Sequence, residues 1–290
     1  MTAALTPELG WPSYRLREVE RWRNGRSEIY EDCIAEEAPV ALMYNGEPHV
    51  VMLATPLDLE DFALGFSLTE AIVADGCEVD SIRVFQRAEG MEVRLRIPVA
   101  RCETAVDKGR NMTGRTGCGL CGARTLQQAI RRPVPVTSRL RLPASDLIAA
   151  LAGLRARQRL NTLTGAVHAA GWAVPGKGLL LVREDVGRHN ALDKLIGALA
   201  RKNTDFSTGF VVVTSRASYE MVQKCATVGI GFMAAISAPT GLAIELAEAT
   251  GLTLVGFARD ENHVVYAHGQ RLLHADQASN NHDMTDTAMR

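Results

Sequence analysis

The chain lacks an excess of charge of either sign. Its 32 Lys and Arg residues nearly balance its 33 Asp and Glu residues, giving a formal net charge of −1 and a pI near 6.7. A protein with this balance has no overall electric field that would attract nucleic acid or an anionic membrane. We therefore expect neither partner, although a local basic pocket for one phosphorylated ligand is compatible with the composition.

The sequence also lacks the basic, then apolar, N-terminal pattern of a secretory signal. The uncharged stretch 225–244 is as long as a membrane span, but Gly229, Gly231, Pro239 and Gly241 interrupt it. We interpret it as a strand, a turn and a helix, and we expect a cytoplasmic protein. Structural disulfides are rare in the cytosol, so a close cysteine pair there is more often catalytic or metal-binding.

Hydrophobic periodicity divides the 290 residues into four regions. Residues 1–30 are predicted to be a loose polar arm and residues 275–290 a disordered tail. Between them we predict a small α+β domain over 31–136 and an α/β cofactor-binding domain over 137–274. The fold class predicted for the whole chain is therefore α/β with a smaller α+β N-terminal domain.

The 31–136 region begins with two apolar runs, 40–44 and 50–53, on either side of Asn45-Gly46. An Asn-Gly step between apolar runs is a strong signal for a β-hairpin. The other elements predicted for this region are a helix over 57–73, antiparallel strands over 79–86 and 91–98, and a mobile glycine-rich loop over 107–117.

In the 137–274 region, continuous apolar runs alternate with helical patterns, which favours a largely parallel sheet covered on both faces. The predicted strands cover 179–182, 210–213, 230–236 and 252–257, and the predicted helices cover 144–157, 191–201, 219–228 and 242–249.

The most informative motif is Cys118-Gly119-Leu120-Cys121-Gly122, which directly follows the glycine-rich loop. Glycines expose backbone amides, and Arg115 and Arg124 lie close in sequence, so the surroundings favour a thiolate. A thiolate is the species that attacks a persulfide and accepts its sulfur atom. We predict catalytic roles for Cys118 and Cys121 and no metal ligated by the protein.

Zinc binding and dithiol exchange remain the alternatives for this motif. Structural zinc needs two further ligands, but there is no second C-x-x-C, and His263 and His268 are predicted to point to opposite faces of a strand. A redox dithiol usually opens a helix within a βαβ unit, whereas this pair follows a loop. A zinc deaminase is not indicated, because no H-x-E precedes Cys118.

Four polar segments follow the predicted strands, at 184–194, 214–220, 237–240 and 257–262. If the strands are parallel, these segments meet at one edge of the sheet, where α/β proteins bind ligands and helix N-termini favour anions. Arg188, His189 and Arg216 add positive charge. Each segment taken alone could be a plain helix cap, but together they predict a pocket for a phosphorylated ligand.

Several motifs together resemble the FdhD family of sulfur carrier proteins, which formate dehydrogenase activity requires. The matching segments are Glu37–Val40, Thr55–Asp58, Gly65-Phe66 with Glu70, Cys118–Gly122, Thr164–Gly171, Glu184–Lys194, Ser237–Thr240, and Gly256-Phe257 with Arg259. The resemblance implies a cytidine-deaminase-like main domain, a homodimer and a cytoplasmic location.

The resemblance further implies a sulfurtransferase role. A cysteine desulfurase would load sulfur onto the Cys-x-x-Cys loop, with Cys118 as the persulfide carrier. The sulfur would then pass to the bis-molybdopterin guanine dinucleotide cofactor of a formate dehydrogenase. The residues predicted to bind this cofactor are Phe257, Ala258, Arg259, Asp260, Glu261, Asn262, Arg188, His189 and Arg216.

Two segments depart from the family pattern. Many members have Ser-Gly-Arg where this chain has Thr214-Ser215-Arg216, and the 257–262 segment carries Asp260-Glu261, which would repel phosphate and suit guanine amino groups or outward exposure. Two alternative functions remain: a non-catalytic chaperone that binds the molybdenum cofactor and has structural cysteines, and a redox dithiol protein.

Overall fold

The computed structural model describes residues 11–102 and 133–274. The chain forms two compact units, each discontinuous in sequence. Within the described residues, the first unit contains 11–102, 158–169 and 183–204, and the second contains 133–157, 170–182 and 205–274. Cys118, Cys121, the 107–117 loop and the predicted tail lie outside the described residues.

The compact units differ from the predicted domains in one respect. Two segments that fall inside the predicted 137–274 domain, 158–169 and 183–204, cluster with the first unit. The second of them contains the helix Arg188–Arg201, which packs against the helix Leu59–Thr69. A sequence pattern predicts each helix but not the distant helix against which it packs. The compact units are therefore discontinuous in sequence, and the domain boundary at 136–137 remains a prediction.

The first unit begins with an antiparallel ribbon of β1 (Tyr14–Arg23) and β2 (Arg26–Ala35). Asn24 and Gly25 form its turn with φ of 49° and 77°. The prediction of a loose arm over 1–30 is therefore wrong for the part of it from Tyr14 onward. Most residues of the ribbon are exposed on both faces, so its sequence lacks the apolar alternation by which a half-buried strand is recognised.

A four-stranded sheet of order β4-β3-β6-β5 follows the ribbon. The predicted hairpin is confirmed, because Asn45 and Gly46 join two antiparallel strands with φ of 51° and 94°. The predicted strand pair that follows is also antiparallel, and β3 pairs with β6 in parallel. The strands are β3 (Ala38–Tyr44), β4 (Glu47–Ala54), β5 (Ser81–Arg87) and β6 (Gly90–Arg96).

Helices of the first unit include α1 (Leu59–Thr69), α3 (Arg159–Thr164) and α4 (Arg188–Arg201), and α3 packs against β2. The backbones of α1 and α4 touch at two glycines. A Cβ on Gly65 would lie 1.7 Å from the Asp193 carbonyl oxygen, and one on Gly197 would lie 1.9 Å from that of Asp61. Since real side chains cannot approach so closely, glycine at both positions permits the two helices to pack directly.

The second unit contains the sheet of order β13-β12-β11-β10-β8-β9, in which the first residues of β8 and the last of β9 belong to the first unit. The three central strands β10, β11 and β12 are parallel, whereas β8 and β13 pair antiparallel with their neighbours. The strands are β8 (His168–Val174), β9 (Gly178–Asp185), β10 (Phe210–Val213), β11 (Phe232–Ala235), β12 (Thr253–Arg259) and β13 (Asn262–Ala267).

The sheet is therefore mixed, which corrects the prediction of a largely parallel one. Strand β8 was missed because small residues dominate it, and Ala and Gly are poor strand formers. Its Gly171 is packed tightly: a Cβ there would lie 2.8 Å from Cδ1 of Leu179 and 3.1 Å from Leu154 and Val212. The mixed α/β class is confirmed, and the cytidine-deaminase-like likeness remains a prediction.

The helices of the second unit are α2 (Ala144–Arg157), α5 (Tyr219–Thr227) and α6 (Gly241–Thr250), close to the predicted bounds. Two short strands, β7 (Leu142–Pro143) and β14 (Leu272–Leu273), pair in parallel and bring the end of the described chain back to the unit. Among residues 11–102 and 133–274, no helix is both long and apolar enough to cross a membrane.

We predict that Gly197→Ala lowers the free energy of unfolding by about 1–3 kcal/mol, because the added methyl group would force α1 and α4 apart. Helix propensity alone predicts that the free energy of unfolding would rise, since alanine favours a helix by about 1 kcal/mol over glycine. Urea denaturation followed by circular dichroism measures the change. Gly76→Ala is the matched control, because its nearest neighbour atom would lie at 3.6 Å; equal stability of both variants would contradict this account of the contact.

Candidate functional site

The carboxyl ends of β10, β11 and β12 meet at one edge of the second unit's sheet. Their loops are joined by backbone hydrogen bonds: the Ala217 amide donates to the Ala238 carbonyl over 3.3 Å, and the Thr240 amide donates to the Ala217 carbonyl over 3.0 Å. The Phe257 amide donates to the Ser237 carbonyl over 3.2 Å. The prediction that the segments 214–220, 237–240 and 257–262 line up is therefore confirmed.

Two helices start side by side at this edge without the usual side-chain caps. Ser218 precedes α5 and Thr240 precedes α6, both with extended backbone, and neither hydroxyl accepts a hydrogen bond from its own helix. The Ser218 side chain is 5% exposed, and its Oγ has no hydrogen-bond partner among the described residues. A buried hydroxyl without a partner carries a desolvation cost of about 1–3 kcal/mol, which a ligand could relieve.

Backbone amides in the first turn of a helix are donors for anions, and the helix dipole favours negative charge there. Beside Thr240, a Cβ on Gly241 would meet no atom within 4 Å, so the start of α6 opens onto free space. Glu220 lies in the first turn of α5 and opposes an anion at that helix. The arrangement can bind an anionic group most favourably between the Ser218 hydroxyl and the start of α6.

Two arginines supply positive charge at the same edge. Arg216 is exposed in the loop after β10, and the Arg259 Nε donates to the Ile236 carbonyl over 3.0 Å, which holds its guanidinium at the end of β11. Ser215, which stands where many family members have glycine, has no positive φ, and its hydroxyl donates to the Arg216 carbonyl over 3.0 Å. The backbone at this position therefore does not need a glycine.

The predicted cofactor segment 257–262 forms the end of β12, a turn and the start of β13. Phe257 has a φ of 49° and is 46% exposed, within an irregular stretch of the β12–β13 pairing. A positive φ is rare for a bulky residue, and such bulges often redirect a side chain next to a binding site. An exposed aromatic ring is suited to stacking on a planar base.

The other residues of this segment divide by exposure. Ala258 is fully buried, so it supports the strand and presents no side chain to a ligand. Asp260 forms a loose ion pair with Arg155 at 3.5 Å, with both side chains more than 60% exposed, and Glu261 and Asn262 are also exposed. For Asp260 and Glu261 the sequence left two interpretations open, contact with guanine amino groups or outward exposure, and the structure favours outward exposure.

The polar run 184–194 belongs to the first unit, and much of it is buried structure. Lys194 and Asp185 form an ion pair at 2.7 Å with both side chains fully buried. Lys194 Nζ also donates to the Thr55 carbonyl over 2.8 Å, and the Thr55 amide donates to Asp185 Oδ2 over 3.0 Å. The density of polar residues, which indicated a ligand site in the sequence, here serves an internal network.

Two further residues of the run complete this network. Asn190 Nδ2 donates to Asp185 Oδ1 over 3.0 Å and to the Leu53 carbonyl over 2.8 Å. Asp193 Oδ1 accepts from the Thr69 hydroxyl over 2.7 Å. Arg188 and His189 lie in the first turn of α4, and His189 is 6% exposed.

His168 lies in the electrostatic range of Arg188, which sequence reasoning did not recognise. Burial lowers the pKa of His168, the positive charge of Arg188 lowers it further, and the negative charge of Asp185 partly opposes both. The imidazole is therefore neutral at neutral pH and can accept a proton. Its position at the start of β8, a strand that the sequence did not reveal, explains why the pattern missed it.

Glu184, at the start of the polar run, caps a helix. Its carboxylate accepts from the amides of Leu160 and Asn161, each over 2.9 Å, at the start of α3. Burial raises the pKa of Glu184, and these backbone hydrogen bonds oppose that shift. The interpretation of this segment as a plain helix cap is thus correct for Glu184, although the capped helix is α3 and not the helix that follows the run.

Within the described residues, no group of three or more His, Cys, Asp or Glu side chains could hold a metal ion. Among the described residues, Cys33, Cys77, Cys102 and Cys225 form no disulfide with one another. The predicted catalytic residues Cys118 and Cys121 lie outside the described residues, so their predicted roles remain predictions.

Fold and site together define a mixed α/β protein whose second unit presents two uncapped helix starts and two arginines at the edge of a sheet. Residues 35–273 match the model of the FdhD/NarQ family, and the chain belongs to that family.

Curated relatives extend over almost the same length. The chain is 53% identical over 263 residues to a protein of Cupriavidus necator named sulfur carrier protein FdhD, covering 91% of each chain. It is 54% identical over 261 residues to a protein of the same name from Xanthomonas euvesicatoria pv. vesicatoria, covering 90% of this chain and 93% of the relative. Such identity over nearly the whole length supports the same fold and family throughout.

A solved structure shares the fold at lower identity. It is a crystal structure of a candidate formate dehydrogenase accessory protein from Desulfotalea psychrophila, with a TM-score of 0.71 and 23% identity. The match covers 90% of this chain and all of the other. At this identity the likeness concerns the fold alone.

We predict that Asp185→Asn lowers the free energy of unfolding by about 3–5 kcal/mol, because it leaves the Lys194 ammonium buried without a counter-charge. Urea denaturation measures the change. Asp260→Asn removes a carboxylate that is 76% exposed and should stay within about 0.5 kcal/mol of the parent. If Asp185→Asn and Asp260→Asn were equally mild, the buried pair would not be the structural centre described here.

Proposed function

We propose that this protein is a sulfurtransferase that carries persulfide sulfur on the Cys118-x-x-Cys121 loop and delivers it to a bis-molybdopterin guanine dinucleotide cofactor. Membership of the FdhD/NarQ family and relatives named sulfur carrier protein FdhD support the sulfur role. The observation that carries the cofactor role is the buried, unpartnered Ser218 hydroxyl between two uncapped helix starts.

In the loading step, the Cys118 thiolate attacks the outer sulfur of a persulfide on the donor enzyme. The new S–S bond forms at Cys118 as the donor's S–S bond breaks, and the donor leaves as a thiolate. Sulfur changes carrier without net oxidation or reduction. The two arginines close in sequence, Arg115 and Arg124, would favour the attacking thiolate.

In the delivery step, the sulfur must leave at the oxidation level of sulfide, which requires two electrons. The Cys121 thiolate can supply them by attacking the inner sulfur at Cys118, which forms a Cys118–Cys121 disulfide and releases the outer sulfur to the cofactor. A cellular thiol reductant then restores the dithiol. This stoichiometry gives the second cysteine of the motif a chemical purpose.

The cofactor is a substrate here, and the edge of the second unit fits its anionic and aromatic parts. A phosphate can accept from the Ser218 hydroxyl and from amides at the start of α6, with Arg216 as the nearby cation in the loop. The exposed Phe257 ring can stack on guanine, whose amino group suits the exposed carboxylates of Asp260 or Glu261. Phosphate and base would then occupy different parts of one surface.

Arg188 and His189 of the first unit are the remaining cofactor-binding residues of the proposal. His168, neutral and electrostatically coupled to Arg188, is a proton acceptor for thiol chemistry in that unit. The proposal also includes a cysteine desulfurase as donor, a formate dehydrogenase as the final recipient, a cytidine-deaminase-like main domain, a homodimer, a cytoplasmic location and no resident metal, all of which the family resemblance implies.

The loading step is tested by incubating the protein with a cysteine desulfurase and cysteine, followed by mass spectrometry of the intact chain and its peptides. We expect an adduct of about 32 Da on Cys118, the mass of one sulfur atom. Cys118→Ala should lose the adduct, whereas the control Cys77→Ala should keep it. If Cys118→Ala retained full maturation of formate dehydrogenase, the protein would instead be a chaperone for the cofactor.

The cofactor surface is tested with GDP as the probe, by calorimetric titration. Ser218→Ala removes one hydrogen bond of about 0.5–1.5 kcal/mol, so we expect affinity to fall about three- to tenfold. Stability should not fall, because the lost hydroxyl had no partner in the protein. Ser81→Ala, at an exposed position of β5, is the control; unchanged GDP affinity in Ser218→Ala would count against this phosphate position.

A further inference from the structure

Two histidines of the second unit face each other at the end of the described chain. Nε2 of His263 and Nε2 of His274 lie 2.9 Å apart, and their rings are nearly parallel, at 16°. The ring centres are 5.1 Å apart. This distance is close to the sum of the nitrogen–nitrogen separation and the two distances from each nitrogen to the centre of its own ring. The two nitrogens therefore point at each other along the line between the rings.

This head-on geometry is that of an N–H···N hydrogen bond. Two imidazoles that bind one metal ion direct both lone pairs at the metal, so the rings are tilted toward each other. With the same distance between the two nitrogens, the ring centres would then be closer together than they are here. No third His, Cys, Asp or Glu joins the pair within the described residues. The pair is thus better described as two imidazoles that share a proton than as a metal site.

A shared proton makes the contact depend on the protonation state. With both rings neutral, one Nε2–H donates to the other Nε2; with one ring charged, the same bond becomes charge-assisted and stronger. With both rings charged, each nitrogen carries a proton, no acceptor remains, and the two cations repel. The contact therefore survives the first protonation and is lost at the second.

The second protonation is also disfavoured by the surroundings. Burial lowers the pKa of His263, and the charge of His274 lowers it further. His268, on the other hand, is occupied elsewhere, because its Nε2 is 3.0 Å from the Glu248 carbonyl oxygen. The other titratable or charged groups on the surrounding elements are Asp146, Arg155 and Arg157 of α2, Glu245 and Glu248 of α6, Arg259 of β12, Asp260 and Glu261 of the turn, Tyr266 of β13, and Arg271.

The pair connects the start of β13 to the end of β14. His263 is the second residue of β13, next to Asn262 and the Asp260–Glu261 turn, whereas His274 directly follows β14. Strand β13 is an edge strand whose pairing with β12 is interrupted twice. A strand held by so few regular backbone bonds depends strongly on any additional contact.

We infer that the His263–His274 pair is a pH-sensitive clasp that holds the start of β13 against the residue after β14 near neutral pH and releases it on acidification. The folded protein binds the second proton of the pair more weakly than the unfolded chain does. The clasp therefore stabilises the fold above about pH 6.5, and this stabilisation is lost as the pH falls below that value. Release would loosen the segment that carries Phe257 and Asn262. Any effect on a ligand there rests on the proposed function, but the clasp itself does not.

The test follows hydrogen exchange of β13 amides in the full chain between pH 7.5 and 5.0, corrected for intrinsic exchange rates. We expect protection of the Asn262–Ala267 strand in the parent to fall below pH 6.5, by at most tenfold per pH unit, because one proton is coupled to opening. In His274→Gln this pH dependence should disappear. In the control His268→Gln it should persist.

Nitrogen-15 NMR titration of the histidine rings gives an independent readout that needs no variant. Coupled titration of His263 and His274 would support the clasp. The inference is overturned if His263 and His274 titrate independently near their ordinary pKa, or if the pH dependence of β13 exchange is the same in His274→Gln as in the parent. GDP binding plays no part in either measurement, so its failure would bear on the proposed function alone.

Discussion

The first unit is organised around the fully buried ion pair between Asp185 and Lys194. The pair makes further hydrogen bonds to Thr55 and Asn190, which join the ends of β9 and β4 to the start of α4. Burying two charges costs several kcal/mol per ion, which only close pairing and complete hydrogen bonding can offset. Thr55, Asp185, Asn190 and Lys194 are therefore interdependent, and α4 is anchored where Arg188 and His189 begin it.

The second unit shows the opposite use of polar groups. At the ends of β10 and β11, neither the Ser218 nor the Thr240 side chain caps the helix that follows it, and the buried Ser218 hydroxyl has no hydrogen-bond partner among the described residues. Polar groups satisfied internally contribute to stability, whereas buried polar groups left unsatisfied lower it and are available to a ligand. This contrast separates the structural polar cluster of the chain from the one that we assign to binding.

Much of the fold could be predicted from local patterns. The Asn45-Gly46 hairpin, the helices over 144–157 and 219–227 and the apolar strand 210–213 all have strong local signals, and the structure places them where they were expected. The ribbon of β1 and β2 could not be predicted, because it is exposed on both faces and its sequence lacks alternating apolar residues. Strand β8 could not be predicted either, because small residues dominate it. The backbone contact at Gly65 and Gly197 depends on long-range packing that no local pattern encodes.

The candidate site was predictable in position but not in its division of roles. The strand-to-helix junctions 214–220 and 237–240 could be predicted as anion sites from their residue types. The expectation that parallel strands end at one edge of the sheet then placed them together. The run 184–194 has the same composition, yet Asp185, Asn190, Asp193 and Lys194 bond to one another or to residues that lie 124 to 139 positions away. Composition cannot distinguish a polar residue that has a partner from one that lacks it. That difference is visible only in three dimensions. It is why we assign binding to the Ser218 hydroxyl of the second unit and not to the most polar motif of the sequence.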